Sequence, residues 1–127
     1  MASQPTFTST PRLAVETISA ANTNLDGTGT IVSLVTGVAA GTKIDEVVFK
    51  ATETTTAGWV RLFVSDDGGT TWFLYDEFVV AAVTAPTAWR IKVLYDNLIL
   101  PSTSHKLGAS THVAETFNVI VHGGDLT

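Results

Sequence analysis

Short apolar runs separated by clusters of Gly, Thr, Asp and Pro recur along the whole chain, and none of them has a helical period. This punctuation constrains the fold more than any other feature, because an all-β domain needs a turn every 8–12 residues or so. It predicts strands near 12–19, 29–36, 43–51, 58–65, 71–80, 88–96, 104–109 and 115–122. The chain is rich in Thr and Val, whose branched Cβ suits a pleated surface. No internal repeat is visible, which argues against propellers and solenoids. About eight antiparallel strands in one domain predict a two-sheet β-sandwich of jelly-roll type, with a closed eight-stranded barrel as the rival. Residues 1–11 are polar and rich in Thr, Ser and Pro, so they read as an extended arm before a single domain over 12–127.

Individual strands show which side each buries. In 88–96, Trp89, Ile91, Val93 and Tyr95 alternate with Arg90, Lys92 and Asp96, which predicts one wet face. In 115–122, Glu115, Phe117, Val119 and Val121 alternate with Thr116, Asn118, Ile120 and His122. The hairpin formed by 58–65 and 71–80 is different. Val60, Leu62 and Val64 oppose Trp59, Arg61 and Phe63, while Phe73, Tyr75 and Val79 oppose Trp72, Leu74 and Phe78. Both faces are apolar, so both need a cover. One meets the opposing sheet; the other requires a loop, the arm or a neighbouring molecule. Trp59, Arg61, Phe63 and Trp72 are therefore the expected interface residues, with Pro5 and Phe7 in the arm segment Ser3–Pro11 as a second contact.

Bulk charge sharpens the expectation. Only 15% of residues are charged, against about 25% in typical soluble domains. Seven basic residues against twelve acidic ones give a net charge of −5. The basic residues are scattered, which excludes the one-sided basic surface of a nucleic-acid binder. No apolar stretch is long enough for a membrane-spanning helix. With no Cys there are no disulfides, thiol nucleophiles or Cys-bound zinc. Met1–Pro5 lacks the charged region and apolar run of a secretion signal, so synthesis in a cytoplasm is expected.

No constellation of residues points to catalysis. Asp45-Glu46, Asp66-Asp67 and Asp76-Glu77 are neighbours on strands or turns, where adjacent side chains diverge. A glycoside hydrolase instead needs two carboxylates converging across a cleft. There is no Gly-x-Ser-x-Gly elbow. Gly27-Thr28-Gly29-Thr30 lacks the Lys and the following helix of a phosphate loop, and reads as a turn. His105, His112 and His122 have no metal-ligand spacing, although His105 and His122 could meet across strands. The expectation is no catalytic, cofactor or metal site.

Two resemblances add to this reading. Ser65-Asp66-Asp67-Gly68-Gly69-Thr70-Thr71-Trp72 resembles the Asp box, Ser-x-Asp-x-Gly-x-Thr-Trp, in every fixed position. In sialidases such boxes recur in propeller blades, away from the catalytic centre. Here a single copy reads as a structural hairpin turn built by Ser65, Asp67, Gly69 and Trp72. Asp67 would accept backbone amides, and Gly68 and Gly69 would permit positive φ.

The second resemblance lies in the runs Ile18–Thr30 (ISAANTNLDGTGT) and Lys50–Val64 (KATETTTAGWVRLFV), which look like segments of small virion proteins of tailed bacteriophages. It implies a structural, non-enzymatic decoration (cement) protein on the outside of the phage head, stabilising the shell. Its implied partners are its own copies, as a trimer, and the major capsid protein. The alternative is a tail, neck or fibre-associated module, or a receptor-binding sandwich that takes carbohydrate.

Overall fold

The computed structural model describes residues 8–126, all of which belong to one β-sandwich. Residues 1–7, including the expected contacts Pro5 and Phe7, lie outside the described residues. Eight strands follow in order: β1 (Thr8–Ile18), β2 (Val32–Thr36), β3 (Thr42–Ala51), β4 (Gly58–Ser65), β5 (Phe73–Val80), β6 (Arg90–Leu100), β7 (Lys106–Thr111) and β8 (Phe117–Leu126). Each overlaps one strand predicted from the pattern.

The strands form two four-stranded antiparallel sheets, ordered β1-β8-β3-β6 and β2-β7-β4-β5. Within them the first strand pairs with the eighth, the second with the seventh, the third with the sixth and the fourth with the fifth. That nesting is a jelly roll, in which one long hairpin is rolled into two layers. Two separate ladders replace the closed barrel.

Between the layers, Val47, Phe49, Phe117, Val119 and Val121 of the first sheet meet Val60, Leu62, Leu107 and Ala109 of the second. All are buried, and each large aliphatic or aromatic side chain contributes roughly 1.5–3 kcal/mol by leaving water. Phe49 tilts against Phe78 at 5.8 Å between ring centres, and Trp89 stands edge-on to Phe117 at the same distance. Val93 and its alternating neighbours point inward while Arg90, Lys92 and Asp96 are exposed, as the pattern predicts.

Two expectations are corrected. Residues 8–11 are the start of β1, not part of an arm: Thr10, Pro11 and Arg12 pair with Asp125, Gly124 and Gly123. Pro11 had marked these residues as irregular, but an edge strand accepts proline on its free side. Moreover, Arg12 points between the sheets. Its Nη1 donates to Thr36 O at 3.0 Å and to Asp125 Oδ1 at 3.2 Å.

The second correction concerns the outer face of the second sheet. The segment 19–31, between β1 and β2, covers much of it, so over Arg61 and Phe63 the cover is a loop of the same chain and not a neighbouring molecule. Ala21 bridges to Thr111 beyond the end of β2, and Asn22 N donates to Thr111 O. The buried Asn22 amide then donates to Thr28 O and Thr30 O, folding the segment back on itself.

Candidate interaction surfaces

Beneath that segment lie the residues expected to form the interface. Arg61 and Phe63 are buried, Phe63 completely (0% exposed). Neither can meet a partner in this fold, which corrects the expectation for both. Arg61 Nε donates to Glu77 Oε2 at 2.9 Å, and Nη1 donates to His112 Nδ1 at 3.1 Å and reaches Asn22 O at 3.4 Å. A lone buried guanidinium is costly, and these acceptors are what make its burial tolerable. Phe63 pairs with Gly108 on β7. A Cβ on Gly108 would lie 2.8 Å from both the Trp72 ring and Ile31, so these two side chains lie directly over that glycine, on the face it shares with Phe63. Trp72 thus packs against its own domain. Only Trp59 of the expected set on β4 remains substantially open, at 40%, beside the exposed Val79.

The turn that delivers Trp72 is built from the side chains singled out in the sequence. Asp67 Oδ1 accepts from Thr70 N at 3.1 Å, Thr71 N at 2.9 Å and Ser65 Oγ at 2.8 Å, while Ser65 Oγ accepts from Gly69 N at 2.9 Å. Gly68 and Gly69 both have positive φ, 78° and 94°. The Thr71 amide, helped by the Ser65 hydroxyl, holds the Asp67 carboxyl below the usual carboxylate range. A group depressed in the folded state stabilises above its unfolded pKa, here 3.8, and loses that contribution as pH falls through the folded value. Acid denaturation of wild type should therefore steepen below about pH 4, and Asp67→Asn should flatten this limb. Parallel acid limbs for the two proteins would remove Asp67 from the account.

Among the described residues, exposed apolar side chains gather in three areas, with Leu25 standing apart. The first lies on the outer face of the first sheet, beside charged side chains of β3 and β6. Leu13, Val15 and Leu94 are 64%, 54% and 68% exposed. In register, one row runs Leu13, His122, Glu46, Leu94 and the next Val15, Ile120, Val48, Lys92. The second area is a cleft of about 320 Å³ between the β5 and β6 edges. Exposed Phe73, Tyr75 and Ile99 form its walls, and Asp66 and His105 supply polar groups. Beside it, burial and the Asp76 carboxylate push the Tyr95 hydroxyl far up, so it stays protonated and donates to Asp76 Oδ2. Trp59 with Val79 is the third.

The histidines do not converge. His105 is within 2.8 Å of Ser102 Oγ, His112 accepts from Arg61, and His122, in the first sheet, lies 3.6 Å from its neighbour Glu46. Among the described residues no group of three or more His, Cys, Asp or Glu is placed to hold a metal. Nor does any helix there have the length and apolarity to cross a membrane.

No family model and no curated protein matches the chain. Among solved structures it is similar to infectious bursal disease virus Gx strain, at 16% identity and a TM-score of 0.36 over 93% of this chain and 33% of the other. The VP2 subviral particle of infectious bursal disease virus gives 14% identity and a TM-score of 0.37, over 93% and 34%. The chain thus spans about a third of the length of these matches.

Proposed function

We propose that this chain is a non-enzymatic structural protein of a bacteriophage virion, a decoration protein seated on the outside of the head. The observation that carries this reading is the outer face of the first sheet, where Leu13 and Val15 stand exposed on β1 and Leu94 on β6, with His122, Glu46 and Lys92 on the same face. Side chains placed so are suited to being covered by another protein. The resemblance of Ile18–Thr30 and Lys50–Val64 to phage virion proteins supplies the setting, with the major capsid protein and further copies of the chain as partners. Repetition over a shell multiplies individually weak contacts.

A second reading rests on the β5–β6 cleft, whose exposed Phe73 and Tyr75 could stack on sugar rings as a receptor-binding sandwich would. Copy number in purified particles separates the two. Decoration predicts copies comparable to those of the shell protein, located on the head by labelling. A dozen or fewer, located on the tail or neck, would replace it with the adhesion reading.

A further inference from the structure

Each sheet has two edge strands: β1 and β6 in the first, β2 and β5 in the second. An edge presents unpaired N–H and C=O groups, and folds usually blunt it by brevity, bulges or charge. Three of these edges are blunted. β2 has five residues. β5 is irregular opposite Leu62 and Phe63 and carries Asp76 and Glu77. β6 exposes Arg90, Lys92 and Asp96. β1 differs in its middle: past an irregularity between Thr8 and Thr10, the run Leu13–Thr17 pairs regularly with β8 and carries a single charge, Glu16.

The register identifies the free backbone groups. Leu126 N, at the end of β8, donates to Gly41 O on the β3 side. Alternation along β8 then turns even-numbered amides toward β3 and odd-numbered ones toward β1. Their β1 partners are even-numbered: Arg12 with Gly123, Ala14 with Val121, Glu16 with Val119. Pro11, Leu13, Val15 and Thr17 therefore direct their backbone groups to the outer edge of the sheet, where no other described strand pairs with them. Proline agrees with this assignment, since Pro11 has no N–H to give and sits in the set that β8 does not use.

We propose that this edge receives a second copy of the chain, β1 against β1, antiparallel about a two-fold axis at Val15. The pairable run starts after Pro11 and stops at Ile18, and its midpoint is Val15. In that register Val15 faces Val15 of the second copy, and Leu13 faces Thr17. Each of these residues has both backbone groups free to exchange. Ala14 faces Glu16 and Arg12 faces Ile18, so no like charges stand opposite one another. Pro11 falls opposite Ser19, beyond the strand, where its missing N–H removes no bond. Leu13 and Val15 of both copies then form one apolar strip, continuous with Ile120 and Val48 behind it. The two first sheets become a single sheet of doubled width.

The proposal rests on the reading that this protein is built to be contacted, and it names one of the contacts. The interface is isologous and closes at two, apart from any threefold clustering on a shell. Edge pairing covers less than the ~800 Å² per partner of a standard interface, so the contact is weak in free solution and strengthened by avidity.

Sedimentation equilibrium of the full chain from roughly 10 µM to 1 mM should show a reversible monomer–dimer equilibrium. Val15→Pro should move its midpoint to at least ~10-fold higher concentration with the circular dichroism spectrum unchanged, because the Val15 amide is outside the β8 ladder. Should that variant misfold, Val15→Lys serves instead, since it sets like charges face to face on the axis and must give the same shift. A wild-type chain that stays monomeric overturns the proposal, as does any oligomer, dimer or trimer, that Val15→Lys leaves unchanged. Particle copy number is measured separately, so the decoration reading and this contact can fail independently.

Discussion

Phe63→Ala lowers the stability of the isolated domain by about 3–5 kcal/mol, while Trp59→Ala changes it by about 1 kcal/mol or less. The two aromatics lie four residues apart on the same side of β4, and the alternation alone makes them equivalent. Packing separates them. Phe63 is closed in beside Gly108, with the Trp72 indole and Ile31 above that glycine. Truncating it leaves a cavity under a ring held by the Asp67 turn, which cannot collapse freely. Trp59 lies where the 19–31 segment leaves the sheet uncovered, so its loss removes mainly solvent-facing area. Total stabilities of such domains are about 5–15 kcal/mol, so Phe63→Ala can leave the chain largely unfolded at 37 °C. Urea denaturation of the two variants decides the matter. A Phe63→Ala protein as stable as wild type would mean that the outer-face cluster is not a second core.

That contrast marks where the sequence could be read and where it could not. Strand identity was legible because alternation is local: Ile91, Val93 and Tyr95 against Arg90 and Lys92 need only neighbouring residues to be interpreted. The double-sided hairpin was legible for the same reason, and so was its need for a second cover. The cover itself was not. Asn22 meets Arg61 across 39 positions of sequence, and no single-strand period encodes that pairing. Gly108 was the available clue, because a glycine inside an apolar strand marks a place where something else approaches.

Pro11 misled in a related way, because a proline closing a polar, Thr- and Ser-rich run reads as the end of an arm. Here Arg12 is drawn inward by Asp125 and the Thr36 carbonyl, and that leaves Leu13 and Val15 on the outside. The exposure of Leu13 and Val15 thus goes with a partly buried ion pair, Arg12 with Asp125, at the mouth of the sandwich. The turn at 65–72 makes most of its hydrogen bonds within itself, Gly68 N to Ser104 O being a distant one, so Ser65, Asp67, Gly68 and Gly69 could be assigned roles in advance.

Glu77→Ala destabilises the fold by about 3 kcal/mol, more than the loss of a surface ion pair at about 0–1 kcal/mol would allow. Glu77 itself is partly exposed, but its partner is not: Arg61 lies under the 19–31 segment and faces Glu77 directly across β4 and β5. With the carboxylate gone, the guanidinium keeps only neutral acceptors, His112 Nδ1 and the Asn22 carbonyl. It must either stay buried with an uncompensated charge or pull free, which lifts Asn22 and uncovers Phe63. Arg61→Met removes that charge while retaining most of the side-chain volume, so it should cost less than Glu77→Ala despite altering the more buried residue. In the double variant Glu77→Ala adds little, because no buried charge remains to be stranded. The coupling energy between the two sites should then be about 1–3 kcal/mol, with wild-type hydrogen exchange at 20–30 restored relative to Glu77→Ala alone. Additive effects within about 0.5 kcal/mol would show that the segment is held by its own hydrogen bonds and not by Arg61.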